Sequence, residues 1–105
     1  MTEYQIYSLF SGSGGNSVLI RAGGVNILID AGKSARALCR SLTGIGSDIG
    51  EIEAIFITHE HADHIGALEV LSRRHRIPIH ITEPSAAALS PSCRDSLREV
   101  MSIHS

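Results

Sequence analysis

The chain has 105 residues, 43% hydrophobic and 19% charged, with a formal net charge of −2 and a pI near 6.3. At this size a globular chain buries roughly 60–68% of its unfolded surface, so one domain or less is expected. The slightly acidic balance excludes a module that binds DNA through a broad basic field, and any nucleic-acid partner would be held locally.

The start, Met1-Thr2-Glu3-Tyr4-Gln5, is acidic and lacks the apolar run of a secretory signal, and no stretch approaches membrane-spanning length. No membrane partner and cytoplasmic residence are expected. Ile6-Tyr7-Ser8-Leu9-Phe10, Val18-Leu19-Ile20-Arg21 and, after a Gly23-Gly24 turn, Val25-Asn26-Ile27-Leu28-Ile29 read as a β-meander. Between the first two strands lies Ser11-Gly12-Ser13-Gly14-Gly15-Asn16-Ser17. Phosphate-cradling glycine loops lead into a helix whose N-terminus faces the anion, whereas this one leads into a strand, so it is neither a P-loop nor a Rossmann turn. Its glycines allow positive φ and close backbone approach, which suits either a tight β-turn or a rim where the Gly14 amide region and Asn16 face a substrate.

Asp30 closes the third strand before Ala31-Gly32, a position where a carboxylate can cap or turn the chain. Ser34 caps a helix with Ala35, Leu38, Cys39 and Leu42 on one face, ended near Gly44, and residues 45–50 return the chain to a strand Ala54–Ile57. A second helix starts near His64, carries Ile65, Leu68, Leu71 and Ser72 along one side, and is stopped by Pro78. A strand Ile79–Ile81, a short helix from Pro84, a break at Ser90-Pro91 and a helical pattern from Ser92 to about Met101 complete an α/β order. Cys39 and Cys93 form no C-x-x-C pair and read as buried, reduced thiols. Arg73, Arg74 and Arg76 fall about ten residues beyond His64, roughly 15 Å along a helix, and complement its negative C-terminus better than they serve a phosphate.

The chemistry concentrates in Thr58-His59-Glu60-His61-Ala62-Asp63-His64, directly after the apolar Ala54-Ile55-Phe56-Ile57. Three imidazoles and a carboxylate occupy six positions, and this donor set suits zinc and its first-row neighbours. Side chains two apart on an extended backbone point the same way, so His59 and His61 can share one ion at about 2.0–2.1 Å, with Glu60 pointing away. Asp63 and His64, where the chain turns into a helix, can converge on a second ion about 3.5–4 Å from the first. The cofactors expected are two divalent ions, zinc first, with manganese or iron as alternatives. His75, His80 and His104 lack ligand-type neighbours at useful spacing and take ordinary structural readings.

The run His59-x-His61-x-Asp63-His64 resembles the signature of the metallo-β-lactamase-fold hydrolases, which include lactamases, thioesterases, lactonases, phosphodiesterases and nucleases. Phe10 to Ser17, Ile27-Leu28-Ile29-Asp30-Ala31-Gly32 and Thr58 to Gly66 together are similar to the WalJ/YycJ-type branch, over most of residues 4–90. The resemblance implies an αββα sandwich of which this chain carries the N-terminal half, a mixed sheet with helices on one face. It also implies that Asp30 sits beside the metals and orients a ligating histidine through its other ring N–H. It favours the rim reading of Gly14 and Asn16, and phosphodiester hydrolysis, with DNA as the substrate of an exonuclease-like enzyme. Thioester or lactone hydrolysis is the alternative.

The implied reaction uses a metal-bound hydroxide, since two cations sharing a water lower its pKa from 15.7 towards about 7, with Asp63 as the catalytic carboxylate among the ligands. No protein nucleophile is needed, and no G-x-S-x-G elbow is present. A catalytic zinc normally has three protein ligands, however, and the run supplies two per ion. Superfamily relatives add a histidine, a bridging aspartate and a final histidine from a second αβ half, and His104, without strand context, is no stand-in. Residues 1–105 are therefore expected to be the N-terminal part of one domain whose C-terminal half is absent, inactive in isolation. The rival reading is a truncated metal-binding or interaction module that self-associates through its open sheet.

Overall fold

Six strands lie side by side in the order in which the chain makes them: β1 (Tyr4–Phe10), β2 (Ser17–Ala22), β3 (Val25–Ile29), β4 (Ile52–Ile57), β5 (Ile79–Thr82) and β6 (Met101–His104). The computed structural model describes residues 4–10, 17–31, 34–58 and 62–104, with the backbone alone for Phe10 and residues 62–67. β1, β2 and β3 run antiparallel, and β3 to β6 run parallel. Gly23 and Gly24, at φ +57° and +83°, make the two-residue turn between β2 and β3, where positive φ at both positions matches the twist of a hairpin.

Parallel neighbours need long crossovers, and the chain supplies helices for them. α1 (Ala35–Gly44) joins β3 to β4, α2 (Ala62–His75) joins β4 to β5, and α3 (Glu83–Ala87) with α4 (Pro91–Leu97) joins β5 to β6. Ser34 caps α1, its Oγ accepting from Ala37 N at 3.1 Å. Asp48 caps a 3₁₀ turn at Ile49–Glu51 by accepting from Gly50 N at 2.9 Å, and β4 starts at Ile52, two residues before the strand expected from sequence. α2 ends at His75, and Arg76 follows at φ +51°, ahead of Ile77-Pro78.

Alternation along the strands sorts the sheet into two unlike faces. Leu19, Leu28, Ile55, Ile79 and Ile81 turn to one side and are buried against Leu38, Leu42, Leu68, Leu71 and Leu97 of the helices. Ile6, Ile20 and Ile27, in register across β1 to β3, and Phe56 and His80 on β4 and β5 occupy the other side. No helix covers that side among the described residues, and Ile6 and Phe56 stay 63% and 39% exposed. The mixed sheet with helices on one face is as expected.

Three expectations are corrected. The helical pattern from Ser92 does not run to Met101: α4 ends at Leu97, and Ile79 N donates to Val100 O at 2.8 Å as the chain enters β6. Pairing with the edge of β5 satisfies a row of backbone donors and acceptors that a longer helix would leave open, so the sheet overrides local helix preference. His104 consequently does stand in a strand, where Thr82 is its partner in register. Cys93 is buried as expected, but Cys39 is only half-buried. Burial, with a hydrogen bond and the charge of Glu69, pushes the Cys93 thiol up to about 11; burial and Asp48 also raise Cys39 against the pull of Arg74. Both thiols are protonated at neutral pH and do not act as thiolate ligands or nucleophiles. No helix among the described residues is long and apolar enough to cross a membrane.

The two faces should answer differently to truncation. Leu28→Ala, in the packed core, is expected to cost about 2–5 kcal/mol in urea unfolding, whereas Ile6→Thr on the open face should stay within about 0.5 kcal/mol. A loss at Ile6 as large as that at Leu28 would mean that the open face is covered in solution, as in a self-associated chain.

Candidate active site

In sheets with parallel strands, ligand sites form outside the carboxyl ends of the strands, and here β3 and β4 end beside each other. Asp30 follows β3 and Thr58 follows β4, pointing the chain into residues 59–61 and then into α2. The Asp30 backbone N–H donates to Phe56 O at 2.7 Å, which extends the parallel pairing by one residue. Its Oδ1 accepts from Thr58 N at 2.8 Å and its Oδ2 from Thr58 Oγ1 at 2.5 Å. From the other side, Ser17 Oγ donates to the Asp30 carbonyl at 2.8 Å. One residue thus ties the start of β2 and the ends of β3 and β4.

Asp30 reaches this arrangement at φ +62°, in the left-handed region that aspartate tolerates better than most residues with a Cβ. It is 5% exposed. A carboxylate taken this far from water needs hydrogen bonds in compensation, and a backbone N–H together with a hydroxyl supplies them. Thr58 and Ser17 are contributors that sequence reasoning left without a role. The available signal was weak: each is a small hydroxyl residue at a strand boundary, one at the end of the glycine loop and one at the head of the histidine run.

Asp63 and His64 are the second and third residues of α2. Their side chains, together with His59, Glu60 and His61, lie outside the described residues, as do Gly14 and Asn16 of the glycine loop. The expected convergence of four ligands on two ions therefore concerns positions outside that description. Among the described residues, no group of three or more His, Cys, Asp or Glu is placed to hold a metal. His75, Arg73 and Arg74 are exposed in the last turn of α2, and Arg76 pairs with Glu99 at 3.0 Å on the surface.

The sequence profile of the Metallo-beta-lactamase superfamily matches residues 11–98. The chain is 36% identical over 84 residues to the exodeoxyribonuclease WalJ of Streptococcus pneumoniae serotype 2 (strain D39), covering 80% of this chain and 31% of that protein. It is 35% identical over 81 residues to the exodeoxyribonuclease YycJ of Bacillus anthracis, covering 77% of this chain and 31% of that protein. Among solved structures, the Rm3 metallo-beta-lactamase superimposes with a TM-score of 0.67 at 26% identity over 80% of this chain and 32% of its own. The chain thus spans about a third of the length of the proteins it matches, and its sheet and helices form a corresponding part of their fold.

The anchor generates a stability prediction that needs no metal. Asp30→Ala strips two donors of their acceptors and is expected to cost about 1–3 kcal/mol in urea unfolding. Asp30→Gly should be milder by roughly 1 kcal/mol, because a Cβ in the left-handed region costs about that much. Equal losses for the two variants would show that the backbone at this position is not held left-handed in solution.

Proposed function

This chain belongs to the metallo-β-lactamase superfamily, and on that premise we propose that it is the N-terminal part of a metal-dependent phosphodiesterase that acts on DNA in the manner of an exonuclease. The observation that carries this reading is the grip of Asp30 on Thr58, which fixes the residue immediately before the histidine run at the carboxyl ends of two parallel strands. The two exodeoxyribonuclease relatives support the choice of substrate.

Three imidazoles and one carboxylate fit a borderline divalent ion, so the donor set and the proposed metals agree. His59 and His61 would hold one ion, and Asp63 and His64 a second, with zinc, manganese or iron as the candidates. When bound, such ions supply an acidified water and polarise the phosphoryl oxygen that gains charge. The protein's own contribution begins at Asp30. By occupying both the N–H and the hydroxyl of Thr58, it fixes the residue that precedes His59 in the chain. Asp63, in the first turn of α2, provides the catalytic carboxylate, and Gly14 and Asn16 form the rim that meets the substrate.

Two protein ligands per ion fall short of the three that a catalytic zinc normally has. The chain spans 31% of the length of its WalJ relative, and we assign turnover to the larger protein of which these residues are a part. Residues 1–105 alone should bind metal without hydrolysing DNA.

Dialysis of the purified chain against zinc or manganese, followed by metal analysis, tests the ligand assignment directly. Metal should be retained by the wild-type chain and lost in His61→Ala, and Asp30→Ala should lower affinity about 10–100-fold, the range for loss of an outer hydrogen-bonding partner. Retention unaffected by His61→Ala would remove the run as the metal site. Turnover of DNA by 1–105, abolished by His61→Ala, would show instead that the four donors suffice.

A further inference from the structure

The crossover helices α1 and α2 touch on the covered side of the sheet and leave a groove of about 420 Å³ between them. Leu71, Val70 and Cys39, buried or half-buried, form its floor, while Arg36 of α1 and Arg74 and His75 of α2 stand exposed around it. No carboxylate lines the groove among the described residues. Arg76 is paired with Glu99 and Arg98 with Asp95, but the side chains of Arg36, Arg74 and His75 have no ion-pair or hydrogen-bond partner among the described residues. Asp48, whose charge reaches Cys39, is engaged in capping the 3₁₀ turn through Gly50 N.

We propose that this groove holds a single strand of DNA, with Arg36 and Arg74 on its phosphates and the His75 ring against a base. The proposal rests on the reading of DNA as the substrate and adds a second place, away from the histidine run, where the strand is gripped. In an αββα sandwich the helices form the outer layers, so the groove stays at the surface whatever packs on the other side of the sheet.

Charge complementarity selects the occupant. Two guanidiniums lining one groove repel each other, and a polyanion that bridges them turns that repulsion into attraction. In a chain with a formal net charge of −2, such a local concentration of uncompensated arginine is how nucleic acid can be held without a broad basic field. The planar fork of arginine also matches phosphate oxygens. The floor favours a strand over a simple anion, because bases present flat apolar faces that can lie on Val70 and stack on an imidazole without regard to sequence. A duplex keeps those faces inside its stack, so the single strand is the form that uses the floor. Along α2, the rise from Asp63 to Arg74 is about 16 Å at about 1.5 Å per residue, or roughly five nucleotides at about 3.4 Å each. A grip at that range leaves the reacting phosphate alone and restrains the strand behind it. Arg74 keeps its favourable place at the helix end, and Arg36, brought from another helix, supplies the second phosphate contact.

The test measures binding of a short fluorescein-labelled oligothymidylate to chain 1–105 by anisotropy in EDTA, so that neither metal nor hydrolysis takes part. Arg36→Gln and Arg74→Gln should each weaken binding roughly tenfold at about 20 mM salt, and together they should flatten the slope of log affinity against log salt by about 1.4, the value for two phosphates of a single strand. Both side chains are exposed, so the circular dichroism spectrum should not change. Arg94→Gln, which removes the same charge from α4, should leave affinity and slope as they were. Polyglutamate of matching charge should compete poorly, having no bases for the floor. No binding by the parent chain, an unchanged slope in the double variant, an equal loss in Arg94→Gln, or competition by polyglutamate as strong as by unlabelled oligothymidylate would each overturn the proposal. Such a failure, with metal still retained by the histidine run on dialysis, rejects the groove and leaves the hydrolase reading standing; strand binding without metal retention does the reverse.

Discussion

The arrangement depends on one buried carboxylate. Asp30 is left-handed, nearly excluded from water, and engaged through its amide, its carbonyl and both side-chain oxygens. Each bond alone is an ordinary polar contact, worth about 0.5–1.5 kcal/mol net, or up to about 3 where the carboxylate is the acceptor. Together they join three strand termini. The glycine loop and the histidine run both spring from this knot, the first through Ser17 and the second through Thr58. A loop carried by a rigid scaffold needs a fixed point of departure, and here Thr58 is fixed by a side chain rather than by a longer strand.

The sheet itself is asymmetric in a way that bears on the chain's standing as a part. Its packed side closes a core with four helices, while its opposite side presents Ile6, Phe56 and their neighbours to solvent. An apolar sheet face without a covering layer is uncommon in layered α/β folds. The matched structures are about two and a half times as long as this chain, in keeping with a fold only partly represented in these residues.

Much of the architecture was legible in the residues. Short runs of apolar and β-branched residues marked β1 to β4, Gly23-Gly24 marked the hairpin, and Ser34 with Gly44 bounded α1, because these signals act over a few residues and need no partner. The helix after the histidine run was legible for the same reason, from Leu68, Leu71 and Ser72.

What failed was what depended on distant neighbours. Ser92 to Met101 reads as helix locally, yet Met101–His104 became a strand because β5 offered an unpaired edge. Ser17 and Thr58 look like unremarkable hydroxyls until Asp30 is brought to them from 13 and 28 positions away. His80 and His104, 24 positions apart, carry no shared motif and met only because their strands are parallel neighbours. The sequence by itself determined the local elements and the family, since those follow from propensity and from residue types at fixed spacing. The anchor, the last strand and the paired histidines were decided by tertiary structure, because strand order and register choose which residues distant in the chain become neighbours.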